Sequence, residues 1–280
     1  MGAPDWRQAI FQVLEPFTLP LTVGSTQLEV AGLHRAGTGT PLAFLHGFGS
    51  TKEDYADVIQ QAQLAGNPVL AYDAPGCGAT TCSDLGAISI PFLVTVAEQV
   101  LHAEQLDRFH LIGHSRGGLT ALLLADQDPG RVAGFVDIEG NLAPEDCFLS
   151  RQTITHPHDD PGTFLAQFAE RLSGSRFHSS ALYAASLPHK VRAGAVKPIF
   201  ESMVDLSDHG KLLDRFLNLP APTMYMYGEQ NNTLSYLPTL ADNGVELAEI
   251  SRSGHFPMYA NAPQMWARIT DFITRADGRH

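Results

Sequence analysis

Short apolar runs alternate with longer segments whose apolar residues recur at helical spacing. Residues 18–23 and 27–33 flank Gly24-Ser25 and predict a β-hairpin. Four more short runs, 42–45, 68–72, 109–112 and 132–138, predict buried strands. Segments 55–64, 91–106 and 119–125 predict the intervening helices. Strands alternating with helices in this way imply a mostly parallel sheet covered on both faces. The alternation then stops. From 141 to 219 no strand is predicted, and 164–172, 179–185 and 199–206 are helix-like, with breaks at Gly174, Pro188 and Gly210. Strands at 223–227 and 245–250 and a helix over 263–275 complete the pattern. The division expected is therefore an α/β frame of residues 1–140 and 220–280, with residues 141–219 as a helical insert. That insert is much longer than an ordinary loop, and such inserts commonly serve as lids or binding elements.

Composition narrows the class. Of 280 residues, 44% are hydrophobic and 17% charged, which is globular and not disordered. Eighteen basic against thirty acidic side chains give a formal charge of −12. That balance argues against nucleic acid or an anionic membrane as partner, because phosphate-rich surfaces require Lys and Arg. Cys77, Cys82 and Cys147 are odd in number and lack CxxC spacing, so neither a disulfide framework nor a zinc site is expected. Asp5 and Arg7 interrupt the first apolar stretch, unlike a signal peptide. Trp6 stands where a myristoylation motif needs Ser or Thr. No apolar run approaches the ~18 residues of a membrane span. A cytoplasmic location is the expectation.

Chemistry concentrates in Phe109-His110-Leu111-Ile112-Gly113-His114-Ser115-Arg116-Gly117-Gly118. This is G-x-S-x-G directly after a predicted strand and before a predicted helix. In that setting Ser115 occupies a sharp turn, with Gly113 and Gly117 allowing strand and helix to approach. The helix N-terminus directs backbone N–H groups at the same spot. Three further motifs fall at strand ends: His46-Gly47-Phe48-Gly49, Asp73-Ala74-Pro75-Gly76-Cys77-Gly78 and Ser253-Gly254-His255-Phe256.

In the order and placement of these motifs, from about residue 27 to 273, the chain resembles the α/β-hydrolase fold family. The resemblance implies a mostly parallel twisted sheet flanked by helices, with 141–219 as a helical cap. It implies Ser115 as nucleophile and His255 as general base. The backbone N–H groups of Phe48 and Arg116 would form the oxyanion hole. The usual acid position, after strand 223–227, holds Gly228-Glu229-Gln230-Asn231-Asn232, with Asn231 where an Asp is expected. Asn carries no charge to stabilise an imidazolium. Glu139, after the preceding strand, is the favoured acid, a placement that resembles the haloalkane dehalogenase branch. Glu229 is the alternative, with Asn231 assisting a Ser–His dyad as the remaining one. Asp137 points to the other side of its strand. The dehalogenase likeness stops there, since Ser115 replaces the Asp nucleophile that would displace halide.

His114 is read as packing and His46 as a structural hydrogen-bonding residue. The run His156-Pro157-His158-Asp159-Asp160 lacks a separate third ligand, so no metal is expected, and no cofactor. Arg116 is expected to pair with an acidic neighbour such as Glu139 or Asp137, with a substrate carboxylate as the alternative partner. Phe148, Phe164, Phe168, Phe177, Tyr183 and Phe200 are expected to form mainly the insert's own core, with a few lining an apolar pocket. The function expected is cofactor-free hydrolysis of a small, apolar acyl substrate: a carboxylic ester or lactone, through an acyl-enzyme on Ser115. A C–C bond hydrolase, a hydroxynitrile lyase and a slow-turnover ligand receptor are the alternatives on the same site.

Overall fold

The structure is a computed structural model that describes residues 13–154, 160–175 and 178–278. Strands β1 (Glu15–Val23) and β2 (Thr26–Arg35) form the hairpin, turning at Gly24 with φ +59°. After them come β3 (Leu42–Leu45), β4 (Val69–Tyr72), the two-residue β5 (Thr81–Cys82), α1 (Ile90–Ala103), β6 (Phe109–His114), α2 (Arg116–Gln127) and β7 (Val132–Ile138). Helices α3 (Phe148–Ile154), α4 (Pro161–Ser173), α5 (His178–Lys190), α6 (Val196–His209) and α7 (Leu212–Leu217) follow. The chain returns through β8 (Thr223–Gly228), α8 (Leu237–Asp242), β9 (Glu246–Ile250), α9 (Pro257–Ala260) and α10 (Ala262–Asp277).

The sheet order is β1-β2-β4-β3-β6-β7-β8-β9, with β5 beside β2. The pairs β1–β2, β2–β4 and β2–β5 are antiparallel, and the remaining pairs are parallel. Strands β3, β4, β6 and β7 are buried along their whole lengths, which is why they read as continuous apolar runs. The chain leaves β3 toward β4, then returns to β6 on the other flank of β3. A crevice opens at the carboxyl ends of strands at such a reversal, here at Leu45 and His114.

Phe44 of β3 stacks on Tyr55 at 4.8 Å and meets Trp266 of α10 edge-on at 5.9 Å. The buried face of α10, Met265, Trp266, Ile269, Phe272, Ile273 and Ala276, follows the helical period. Burying each large side chain of this kind stabilises the fold by roughly 1.5 to 3 kcal/mol. Helix starts carry their signals: Ser89 accepts from Phe92 N ahead of α1, and Asn261 accepts from Gln264 N ahead of α10.

Two expectations need correction. The helix expected over 55–64 is two 3₁₀ segments, Lys52–Gln60 and Ala62–Leu64. Lys52, Tyr55 and Val58 are the buried residues of the first, and a stripe spaced by three matches the three-residue turn of a 3₁₀ helix. Pro188 does not break its helix, and α5 runs on to Lys190. It lies two residues from the helix end, so little helix remains beyond the hydrogen bond it removes. Between β7 and β8, α4 packs on α5 and α3 on α6, while α6 and α7 reach α1 and α2 of the frame. Ser202 Oγ of α6 accepts from Ile90 N at 3.0 Å, and Val191 bridges to Cys77.

Candidate active site

Ser115 links β6 to α2 with φ 53° and ψ −123°, a region that costs a non-glycine residue of order 1–3 kcal/mol. Its N–H donates to Ile138 O at 2.8 Å, and its carbonyl accepts from Leu119 N at 3.0 Å. The turn needs glycine on both sides. A Cβ on Gly117 would stand 2.1 Å from Leu45 O, and one on Gly113 would stand 2.7 Å from Gly117 O. The strand and helix can therefore meet only through bare backbone, and that leaves Ser115 partly exposed at the crevice.

Glu139 occupies the matching place one strand over, at the end of β7, also with positive φ (54°). Its N–H donates to Met226 O at 2.9 Å. Its carboxylate is buried and accepts from Gly228 N at 2.6 Å and from Asn231 Nδ2 at 2.7 Å. Oε2 lies 3.5 Å from His255 Nδ1. Two donors thus orient the carboxylate and aim it at the imidazole. Glu229, weighed as the alternative, is exposed and accepts from Arg252 N at 2.7 Å. Asn231 serves as an amide donor to Glu139. Asp137 is fully buried beside Gly118 and Gly140, and burial, with the charge of Asp146 next, raises its carboxyl well above the usual range.

His255 follows β9 on a tight turn, in which Ser253 Oγ donates to Gly254 O and Gln230 N donates to Ser253 O. His114 Nε2 donates to the carbonyl of His255 at 2.7 Å, and the two rings stand 5.0 Å apart. The residue before Ser115 therefore anchors the backbone of His255. His114 is completely buried, and burial depresses its pKa far below that of a free imidazole, so it stays neutral. His46 is buried too. Its Nε2 accepts from Ala74 N at 2.9 Å, so its Nδ1–H donates to Gly47 O at 2.7 Å. Burial and the neighbouring Arg116 charge push its pKa down to about 3.

Phe48 follows in the same loop, and its N–H has no acceptor among the described residues. Its carbonyl accepts from Tyr183 Oη of α5 at 2.8 Å, and its ring lies 4.6 Å from Phe200 of α6. Tyr183 also stacks on Phe256 at 4.3 Å. Arg116 opens α2, where a first-turn N–H has no intrahelical acceptor. Its side chain departs from expectation. It pairs with neither Glu139 nor Asp137; it is buried, within reach of His46 O, Gly47 O and Cys77 Sγ. The guanidinium extends back toward the His46–Gly47 backbone, whereas both carboxyls lie toward β7 and β8. Tyr183 and the amide of Asn231 carry no motif, and sequence reading gave neither of these roles.

Phe164, Phe168, Tyr183 and Phe200 are buried, while the side chains of Phe148 and Phe177 lie outside the described part. The run His156-Pro157-His158-Asp159 is likewise outside it; Asp160 caps α4 through Gly162 N and Thr163 N. Among the described residues no group of three His, Cys, Asp or Glu side chains is placed to hold a metal. Among them, too, no helix is long and apolar enough to cross a membrane.

A partly exposed elbow serine, a strand-end carboxylate and a histidine after the last strand fit a hydrolase-type architecture, and comparison with known proteins agrees. The chain matches the Alpha/beta hydrolase family over residues 42–269 and belongs to that family. A proline iminopeptidase of Lactobacillus delbrueckii subsp. bulgaricus is 32% identical over 132 residues, 45% of this chain and 44% of that protein. An sn-1-specific diacylglycerol lipase, ABHD11 of Xenopus laevis, is 33% identical over 107 residues, 38% of this chain and 34% of that protein. The chain thus spans under half the length of these two relatives. Among solved structures, a carboxylesterase study of the thaumarchaeon Nitrososphaera gargenis supplies a neighbour with TM-score 0.76 and 18% identity, covering 94% of this chain and 100% of that one. The N-acyl homoserine lactonase AidH, complexed with N-butanoyl homoserine, gives TM-score 0.73 and 18% identity, covering 94% and 97%. At such identities the structural likeness concerns the fold.

Proposed function

We propose that this chain is a cofactor-free serine hydrolase that cleaves a carboxylic ester or lactone through an acyl-enzyme on Ser115. The observation that carries the reading is the Glu139 carboxylate, held by Gly228 N and Asn231 Nδ2 and turned toward His255 Nδ1, beside a backbone-strained serine. In this reading His255 Nε2 removes the proton of Ser115 Oγ as Oγ bonds to the substrate carbonyl carbon. The carbonyl electron pair moves onto oxygen, where the N–H groups of Phe48 and Arg116 receive it. The tetrahedral adduct collapses, the C–O bond to the alcohol breaks, and His255 returns its proton to the departing alkoxide. Water then repeats the sequence, with His255 as base, and releases the acid. Glu139 fixes the imidazole tautomer with Nδ1–H toward itself and stabilises the imidazolium.

Residues 141–219 act as the cap over this site. Tyr183 and Phe200 from that segment touch Phe48, and Phe256 adds another ring. These aromatic walls favour an apolar acyl group. The esterase and lactonase among the structural neighbours support the bond type. The proposed location is the cytoplasm, consistent with three unpaired cysteines. Turnover of short-chain nitrophenyl esters and of acylated lactones tests the reading. Wild type should hydrolyse members of at least one class, and Ser115→Ala should lose roughly a thousandfold or more. Undiminished turnover by Ser115→Ala would overturn it.

A further inference from the structure

The Arg116 side chain is a buried cation without a counter-ion among the described residues. It is 1% exposed, and no acidic side chain of the described residues forms an ion pair with it. Its contacts are long and go to weak acceptors. Nη2 lies 3.4 Å from Gly47 O and 3.5 Å from His46 O, Nη1 lies 3.7 Å from Cys77 Sγ, and Nε has no acceptor. Guanidinium does not shed its proton in proteins. An unpaired charge of this kind is costly to bury, and an apolar side chain of similar volume would be cheaper. The position is one residue past Ser115, so the cost falls at the reacting centre.

The acceptor it reaches matters more than the contact length. Gly47 O receives three donors, His46 Nδ1–H at 2.7 Å, Ser50 N–H at 3.3 Å and Arg116 Nη2–H at 3.4 Å, of which only the guanidinium carries a charge. The Gly47–Phe48 peptide is planar and trans, so fixing its carbonyl fixes the opposite direction for the Phe48 N–H. Donors on the carbonyl also polarise the peptide and strengthen its N–H as a donor.

We infer that the guanidinium of Arg116 is a positioning residue for the oxyanion hole: from behind the Gly47–Phe48 peptide it orients and polarises the Phe48 N–H, and its unneutralised charge favours the anionic tetrahedral intermediate over the neutral substrate. The inference rests on the serine-hydrolase reading. A contribution that grows as the oxyanion forms lowers the barrier without tightening substrate binding, and so belongs to kcat. It also separates this side chain from one that merely fills space.

The test compares wild type with Arg116→Met, Arg116→Gln and Arg116→Lys. It uses ester kinetics, inhibition by a trifluoromethyl ketone, inhibition by the matching methyl ketone, and thermal unfolding. The trifluoromethyl ketone adds Ser115 Oγ to its carbonyl and presents a stable oxyanion; the methyl ketone stays largely trigonal. Arg116→Met and Arg116→Gln should lower kcat by about ten- to a hundredfold, somewhat less than loss of an oxyanion donor itself. KM should stay within about threefold, and trifluoromethyl ketone affinity should fall in parallel with kcat/KM while methyl ketone affinity holds. Tm should stay equal or rise, because an unpaired buried charge has been removed. Arg116→Lys should recover part of the loss. Wild-type kcat in both neutral variants would overturn the inference. So would a loss that tracks a falling Tm or a rising KM, or failure of both neutral variants to fold. If wild type hydrolyses neither esters nor lactones, the serine-hydrolase reading falls and takes this with it; if wild type is active and the neutral variants equal it, only this inference falls.

Discussion

The sheet frame and the helical insert contribute to the site in opposite ways. The frame works through backbone. Ser115 and Glu139 sit at the ends of adjacent strands, both with positive φ, and the N–H groups of Phe48 and Arg116 are main-chain groups. The insert works through side chains: Tyr183 Oη grips the Phe48 carbonyl and Phe200 packs on its ring. Geometry set by a buried parallel sheet is rigid and tolerant of surface change. Geometry set by a tyrosine on a separate helix can be tuned, and substrate selectivity is most naturally varied there.

The largest effect expected falls on the frame. Glu139→Gln should lower kcat on esters by about 10² to 10⁴, while Glu229→Gln should leave it within about twofold, because the first loses the charge facing His255 and the second loses an exposed cap on Arg252 N. Equal losses from both would erase the distinction between the two carboxylates. Next comes Asp73, fully buried, which accepts from Lys52 N, Lys52 Nζ and Ala79 N. Asp73→Asn leaves the buried ammonium of Lys52 with only the exposed Glu53 carboxylate, 2.7 Å away, and should cost about 1.5 to 3 kcal/mol in urea unfolding.

The insert should respond more mildly. Tyr183→Phe keeps the ring on Phe256 and removes only the hydrogen bond to Phe48 O. It should cost about 0.5 to 1.5 kcal/mol of stability, with a kcat loss and little change in KM. A wild-type kcat would show that the insert does not steady the oxyanion loop. The last effect, one of pH dependence, lies where frame gives way to insert. Asp146 accepts from Leu142 N, Ala143 N and Tyr236 Oη, yet burial raises its pKa to about 6. A carboxyl raised on folding binds its proton more tightly in the native state, so its ionisation costs stability as pH increases. The difference in unfolding free energy between wild type and Asp146→Asn should fall from about pH 4 to about pH 6 and stay level above. A difference that rises over that window would contradict the assignment.

The same contrast governs what the residues disclosed in advance. Strand β7 and the turn at Ser115 were legible because continuous burial and close backbone approach demand apolar runs and glycines at fixed spacing. The place of Glu139 at the end of β7 was expected from the resemblance to a branch of the family that carries an acid there. The 3₁₀ segment was misread because Tyr55 and Val58 fit either helical period until Lys52 is seen to be buried with them. Tyr183 was not legible as a contact of the Phe48 carbonyl: it lies 135 positions from Phe48 in sequence, on a helix whose packing no local pattern specifies. Arg116 was misassigned because charge alone suggested a nearby acid, whereas the side chain folds back beneath the loop before it.

The account stands on Ser115 being a nucleophile made reactive by His255 and Glu139. Reaction with a fluorophosphonate, in which Oγ bonds to phosphorus and fluoride leaves, followed by peptide mass spectrometry, measures this most directly. The account predicts one adduct, on Ser115, formed far more slowly in His255→Ala and in Glu139→Gln. An adduct on another residue, or one on Ser115 that forms at the wild-type rate without His255, would contradict it.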